Sequence, residues 1–150
     1  MNIRLFVSTL VAAAMALASD AGASRIAQSA FAFHAFKDSD APYVVYNHGT
    51  AYAGNQNVSV VASADRDPFV AGVTVTIDGY GPGIAASVYS VDYQGNLLTF
   101  ASYGASPAGG AWELNHVFSA AEAPRWSYAS VYCSLTSNAN SFLTGLTTFD

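Results

Sequence analysis

Hydrolysis through a serine or cysteine nucleophile would have to draw on the three histidines and the one cysteine of this chain, which are His34, His48, His116 and Cys133. A serine nucleophile needs an imidazole within hydrogen-bond reach and a carboxylate that orients it. No serine lies in a G-x-S-x-G turn. Cys133 lies inside an apolar strand pattern, where burial would raise its thiol pKa and reduce its reactivity. The sequence therefore predicts no catalytic residue, and a hydrolase assembled from distant segments stays open as an alternative.

Metal-ligating patterns are sparse in this chain. Zinc sites usually draw histidine and cysteine ligands from clusters a few residues apart, whereas the nearest histidines, His34 and His48, are 14 positions apart. Two short loops carry carboxylates, Asp38-Ser39-Asp40 and Asp65-Arg66-Asp67, and loop carboxylates are common Ca²⁺ ligands. Aspartate is also common in turns, because its side chain accepts hydrogen bonds from nearby backbone groups. We favour this turn role and predict no metal and no cofactor, with calcium at the two loops left open.

Three aromatic residues are the candidates for ligand binding. Exposed aromatic rings can stack on the C–H face of a sugar, so carbohydrate binding needs fewer specialised residues than catalysis does. Tyr80 lies in the glycine-rich stretch 79–83, and Trp112 and Trp126 each adjoin a predicted loop. The opposing interpretation is that both tryptophans belong to the core, as most do in a domain of this size.

Residues 1–23 have the pattern of a secretory signal peptide. Arg4 gives a positive start, and an apolar stretch from Leu5 to Ala18 is followed by the A-x-A cleavage pattern Ala21-Gly22-Ala23. The apolar stretch is shorter than the roughly 20 residues of a transmembrane helix. We therefore expect a secreted or periplasmic protein, with a single domain over residues 24–150 and no membrane span in the mature chain.

Composition narrows the possible partners. Charged residues make up 10% of the chain, and five Lys or Arg against ten Asp or Glu give a net charge of −5. Nucleic-acid binding requires a basic surface that displaces counterions from phosphates, and this chain cannot form one. A single cysteine cannot form an intramolecular disulfide, so the fold has to be held by packing. Cys133 is either a buried thiol or a site of intermolecular disulfide formation, and we favour burial.

Short stretches with a period of two predict strands throughout the mature region. In the clearest of them, Val73, Val75 and Ile77 should face inward, while Thr74 and Thr76 should face water. No stretch shows sustained helical periodicity, so we predict an all-β, antiparallel β-sandwich of about seven to nine strands. The predicted strands are 30–36, 43–46, 58–62, 70–79, 84–93, 97–103, 111–118, 127–135 and 142–149.

Two sequence motifs resemble a group of small exported proteins of Gram-negative bacteria. The motifs are Tyr89-Ser90-Val91-Asp92-Tyr93-Gln94-Gly95-Asn96, which predicts a β-hairpin, and Tyr132-Cys133-Ser134-Leu135 near the C-terminus. The resemblance implies an exported β-sandwich and implies no biochemical role. Where such relatives carry further cysteines, this chain has Ala62 and Ala86, which implies that Cys133 is unpaired.

Three functions are compatible with these features. The first is a non-enzymatic, exported β-sandwich that acts as a surface or carbohydrate-binding module. The second is a self-associating structural subunit, since Lys37 is the only lysine and lysines normally protect sheet edges from pairing. The third is the hydrolase considered above. The partners we expect are therefore a carbohydrate or a second copy of the chain, and not a nucleic acid.

The signal-peptide prediction is tested by mass spectrometry of the exported protein. Cleavage after Ala23 should give an intact mass that starts at Ser24. An exported protein that retains Met1 would contradict the prediction.

Overall fold

The structure is a computed structural model that describes residues 25–106, 109–137 and 140–150 of the chain. The predicted signal peptide, residues 1–23, lies outside the described residues, as does Ser24. Over the described ranges, the chain forms eleven β-strands and two short 3₁₀ helices. None of the described helices has the length and apolarity needed to cross a lipid bilayer.

Eleven strands form two antiparallel sheets, so the predicted all-β sandwich is confirmed. The structure has two more strands than the nine that were predicted at most. The strands are β1 (Arg25–Ser29), β2 (His34–Ala35), β3 (Val44–Asn47), β4 (Thr50–Ala53), β5 (Val58–Ala64), β6 (Val73–Tyr80), β7 (Ala85–Val91), β8 (Leu97–Tyr103), β9 (Ala111–Phe118), β10 (Tyr128–Leu135) and β11 (Phe142–Phe149). The first sheet has the order β3-β4-β11-β6-β9, with β1 also beside β11. The second sheet has the order β2-β5-β10-β7-β8.

The core lies between the two inner faces and is built from small side chains. On β6, the inward positions are Val73, Val75 and Ile77, as the alternation predicts. The second sheet contributes the inward residues of β10, from Ala129 to Leu135. Eight of the 23 buried apolar residues are alanines, and Phe33 and Phe118 are the largest side chains that are fully buried. Small side chains therefore make up much of the core.

Two hairpins follow from their turn residues. In the β3–β4 turn, His48 and Gly49 have φ angles of 48° and 85°, which suit a two-residue turn with positive φ at both positions. In the predicted β7–β8 hairpin, Gly95 has a φ of 90°, and Asp92 accepts hydrogen bonds from the backbone N–H of Asn96. The second hairpin confirms the prediction made from the motif.

The prediction of one strand over residues 30–36 is wrong. Residues Ala30–Ala32 form a 3₁₀ helix, and only His34–Ala35 pair with β5. At this point the chain leaves β1 in the first sheet and enters β2 in the second. The 3₁₀ turn makes this crossing and directs Phe33 into the core, while Phe31 stays exposed.

Thr76 is more buried than the sequence predicts. It faces outward on β6, but its side chain is only 5% exposed, because β11 and β9 flank it on both sides. Its hydroxyl donates a hydrogen bond of 2.5 Å to Oδ1 of Asn115. The outer face of the first sheet therefore carries packed polar side chains, which matter for the site described below.

Arg66 joins several loops at one end of the sandwich. Its guanidinium group donates hydrogen bonds to the carbonyl oxygen of Val70 at 2.5 Å and to Oγ of Ser127 at 2.8 Å. Its Nε lies 3.7 Å from Oδ1 of Asp150, and both side chains are buried. This buried pair connects the β5–β6 loop, the start of β10 and the end of β11.

The inward face of β6 is tested by placing a charge at its centre. Val75→Asp should lower the free energy of unfolding by roughly 3–5 kcal/mol, because an unpaired charge would lie in the core. Ser63→Asp, at an exposed position of β5, should change it by about 0.5 kcal/mol or less. Urea denaturation measures both values, and equal effects would mean that the assigned faces are wrong.

Candidate functional site

Trp112 on β9 is held in a fixed orientation by two glycines. It is the cross-strand partner of Gly79 on β6, and a Cβ atom added at Gly79 would lie only 2.2 Å from Cζ2 of the indole. The indole Nε1–H donates a hydrogen bond of 3.0 Å to the carbonyl oxygen of Gly81. No other residue type fits at position 79 without displacing the ring. Trp112 is thus half-buried against the core, with its indole held in one orientation.

A groove opens between the edges of the two sheets beside Trp112. We call it the edge groove; its volume is about 420 Å³, and its walls include Tyr103 at the end of β8 and Leu114 on β9. Ile84 and Ala86 also line it, and both are buried. This volume lies in the range of small-molecule sites.

A second cavity lies on the outer face of the first sheet, and we call it the outer pocket. Its volume is about 370 Å³, and Trp112 lines it as well. Tyr80 and Phe142 form a stacked pair there, with ring centroids 5.3 Å apart and planes inclined by 12°. Asp78 and Glu113 are cross-strand partners at the same pocket. The outer pocket thus combines an aromatic platform with two carboxylates.

The carboxylates of the outer pocket have distinct surroundings. Burial raises the pKa of Asp78, the negative charge of Glu113 raises it further, and Arg25 opposes the shift. Glu113 accepts a hydrogen bond of 2.5 Å from Nδ2 of Asn115, whose Oδ1 accepts the bond from Thr76. The hydrogen bonds from Thr76 to Asn115 and from Asn115 to Glu113 hold the Glu113 carboxylate in position.

The structure brings two of the three predicted ligand-binding residues together. Tyr80 and Trp112 line the same outer pocket. Trp126 lies beyond the opposite end of β6, where its backbone N–H donates a hydrogen bond to the carbonyl oxygen of Pro68. The eight residues of β6 separate these ends by about 23 Å, so one monosaccharide cannot contact both. Trp126 instead packs edge-on against Phe69, with centroids 4.7 Å apart.

Sequence reasoning missed Phe142 and Tyr103. Phe142 reaches Tyr80 because β11 pairs with β6, and Tyr103 reaches the edge groove because β8 and β9 form neighbouring edges of different sheets. The one local signal was Gly79, a glycine at an inward position of a strand that otherwise alternates, which is typical of a close approach by another group.

The histidines do not form a hydrolytic triad. His34 and His48 are exposed, and the ring Nδ1 of His116 lies 2.6 Å from the hydroxyl oxygen of Tyr103. Among the described residues, no hydrogen bond joins a histidine to a serine, to Cys133 or to a carboxylate. The Tyr103–His116 pair instead links the edge strands of the two sheets.

Three of the four aspartates considered as calcium ligands accept hydrogen bonds within the fold. Oδ1 of Asp67 accepts a hydrogen bond of 2.9 Å from the N–H of Phe69, and Oδ2 of Asp65 accepts one from Gln28. Asp40 accepts a hydrogen bond from the hydroxyl of Ser39. The described ranges contain no group of three residues that could hold a metal ion. Cys133 is free and buried, and burial raises its pKa to about 12.

Comparison with known proteins identifies the fold. No family model and no curated protein match the chain. The C-terminal family 6 carbohydrate-binding module of a marine laminarinase from Zobellia galactanivorans matches with a TM-score of 0.53 and 10% identity, over 85% of this chain and 100% of that module. A family 35 carbohydrate-binding module from Clostridium thermocellum matches with a TM-score of 0.51 and 12% identity, over 85% of this chain and 98% of that one. The chain therefore shares its fold with these modules.

The pH dependence of stability tests the environment of His116. Burial lowers the pKa of His116, and the charge of Glu122 opposes this only in part. The unfolded chain therefore takes up the imidazole proton at a higher pH, near 6.5, than the folded chain does. Stability should fall as the pH decreases from about 7.5 to 5.5.

The variant His116→Gln should show a smaller decrease in melting temperature over this range, measured by circular dichroism. An equal decrease in both proteins would assign the effect to other groups. Nuclear magnetic resonance titration of the native ring should give a pKa below 6.5.

Proposed function

We propose that this chain is an exported, non-catalytic carbohydrate-binding module whose ligand lies on the outer pocket. The observation that carries the proposal is the stacked pair of Tyr80 and Phe142 beside the carboxylates of Asp78 and Glu113. The fold shared with two carbohydrate-binding modules supports it. The predicted signal peptide supports a location where extracellular or periplasmic glycans are available.

The two kinds of side chain in the pocket match the two kinds of surface on a sugar. A pyranose ring presents C–H groups on its faces and hydroxyl groups around its edge. Tyr80 and Phe142 offer apolar rings for the faces, and the carboxylates offer acceptors for the hydroxyl hydrogens. Trp112 is also among the residues that line this pocket, and Gly79 and Gly81 hold its indole in one orientation.

The charge of the site favours neutral glycans. Asp78 and Glu113 lie together in the pocket, and the chain has a net charge of −5. A polysaccharide of uronic acids would bring further negative charge to these carboxylates and be repelled. The ligand class we propose is therefore a neutral polysaccharide.

Affinity gel electrophoresis with soluble neutral polysaccharides, namely a β-1,3-glucan, a xylan and a galactan, tests the proposal. At least one should retard the native protein, while polygalacturonic acid should not. Tyr80→Ala should weaken binding about fivefold to tenfold, because it removes one ring of the platform. Tyr80 is exposed, so this variant should fold normally.

Tyr93→Ala is the matched control, since Tyr93 is 69% exposed and lies in the β7–β8 turn, away from the pocket. It should bind as the native protein does. Equal loss in the two variants, or retardation by polygalacturonic acid alone, would contradict the proposed site. Release of reducing ends from a bound polysaccharide would contradict the non-catalytic assignment.

A further inference from the structure

A third cavity lies on the outer face of the second sheet, and we call it the polar pocket. Its volume is about 370 Å³, and it opens where β5 begins and β10 ends. Ser59 and Ser134 face each other there, and both alternate with buried neighbours, so their side chains point outward. The start of the 3₁₀ helix Asp38–Tyr43 forms another wall. The polar residues that line the pocket are Lys37, Asp40, Asn57, Ser59, Ser134 and Thr136.

Hydrogen bonds between distant segments hold the walls of the polar pocket together. The hydroxyl of Tyr132 donates a hydrogen bond of 2.6 Å to Oγ of Ser59 on the neighbouring strand. Oδ1 of Asn57 accepts one of 2.8 Å from the backbone N–H of Ser137, which is 80 positions further along the chain. Oδ2 of Asp40 accepts a longer one of 3.5 Å from the backbone N–H of Ser59. Three separate parts of the chain therefore meet in one arrangement at this pocket.

The polar pocket offers hydrogen bonds that the fold itself does not use. Four side chains that line it have N–H or O–H groups whose hydrogens no described residue accepts, and these are Lys37, Asn57, Ser134 and Thr136. Asp40 adds a carboxylate acceptor, and its charge balances that of Lys37. A sugar hydroxyl both donates and accepts hydrogen bonds, so it can use both kinds of group. The chemistry of the pocket therefore favours an uncharged ligand that is rich in hydroxyl groups.

An exposed aromatic ring lies beside the polar pocket. The backbone N–H of Phe36 donates a hydrogen bond of 2.8 Å to the carbonyl oxygen of Ser59, which continues the pairing of β2 with β5 up to the pocket. The ring of Phe36 is 56% exposed and packs edge-on against Tyr132, with centroids 5.3 Å apart and planes inclined by 86°. Phe36 therefore offers an apolar surface to the C–H face of a sugar whose hydroxyls reach the pocket.

We propose that the polar pocket and Phe36 form a second binding site for neutral glycans, and that one copy of the chain bridges two glycan chains. The polar pocket and the outer pocket each combine an aromatic ring with groups that hydrogen-bond to hydroxyls. They lie on the outer faces of different sheets, and these faces point away from each other. Glycan binding at the polar pocket is independent of the proposed function, whereas the bridging rests on it, since bridging also needs a glycan at the outer pocket.

Nuclear magnetic resonance titration of the exported protein, labelled with ¹⁵N, tests the second site. The probes are the tetrasaccharides of β-1,3-glucan, xylan and galactan, each added separately. At least one should shift the backbone amide signals around Ser134 at the polar pocket and around Glu113 at the outer pocket, with a separate dissociation constant for each. If no tetrasaccharide shifts the signals at the polar pocket, the second site is overturned, and shifts at the outer pocket alone would still support the proposed function.

Phe36→Ala should raise the dissociation constant at the polar pocket about fivefold to tenfold and leave that at the outer pocket unchanged, because it removes one exposed ring. Phe69→Ala is the matched control. Phe69 is also an exposed phenylalanine that packs edge-on against an aromatic ring, that of Trp126, and it lies beyond the other end of β5. This variant should bind at both pockets as the native protein does. Equal weakening in the two variants would contradict the assigned site.

Dynamic light scattering tests the bridging, with the soluble polysaccharide whose tetrasaccharide binds. The native protein should increase the hydrodynamic radius of the polymer, and the increase should decline at a large excess of protein, when each chain binds its own copies. Phe36→Ala and Tyr80→Ala should each reduce the increase, whereas Phe69→Ala should not. No increase with the native protein, or an increase that is unchanged in both single-site variants, would overturn the bridging.

Discussion

The two sheets are held together by the packing of their inner faces, without any disulfide. The single cysteine is itself part of this packing, since Cys133 lies between Val60 and Ala86 on the second sheet and is fully buried. Stability therefore depends on an uninterrupted inward alternation along the central strands, and above all along β6 and β10. The larger side chains of Trp112 and Tyr103 are partly buried at the margin of this core, where they line the edge groove. The margin is consequently where a groove can open without loss of the core.

The two ends of the sandwich are constructed differently. At one end, the buried pair of Arg66 and Asp150 and its hydrogen bonds hold three segments in one arrangement. Burial of such charges is unfavourable unless their partners are retained, so the loops there have little freedom to change. At the other end, Gly79 and Gly81 accommodate Trp112, and Trp112 lines two cavities. The described residues include no buried ion pair at this second end.

Much of the fold could be predicted from local pattern. The bounds of β8, β9 and β11 agree with the predicted strands, and the β7–β8 hairpin follows from its turn residues. The sequence did not predict β1 and β4, which are short strands beside β11. The error at residues 30–36 has a physical cause, since the apolar pattern of that stretch continues while the chain changes sheets. A local alternation records which residues are apolar and contains no information on the sheet to which they belong.

The site was less predictable because it is assembled by pairing between distant strands. Tyr80 and Trp112 could be selected as aromatic residues near loops, but nothing local indicates that Phe142 stacks on Tyr80. The same reasoning grouped Trp126 with them, although β6 separates it from the pocket.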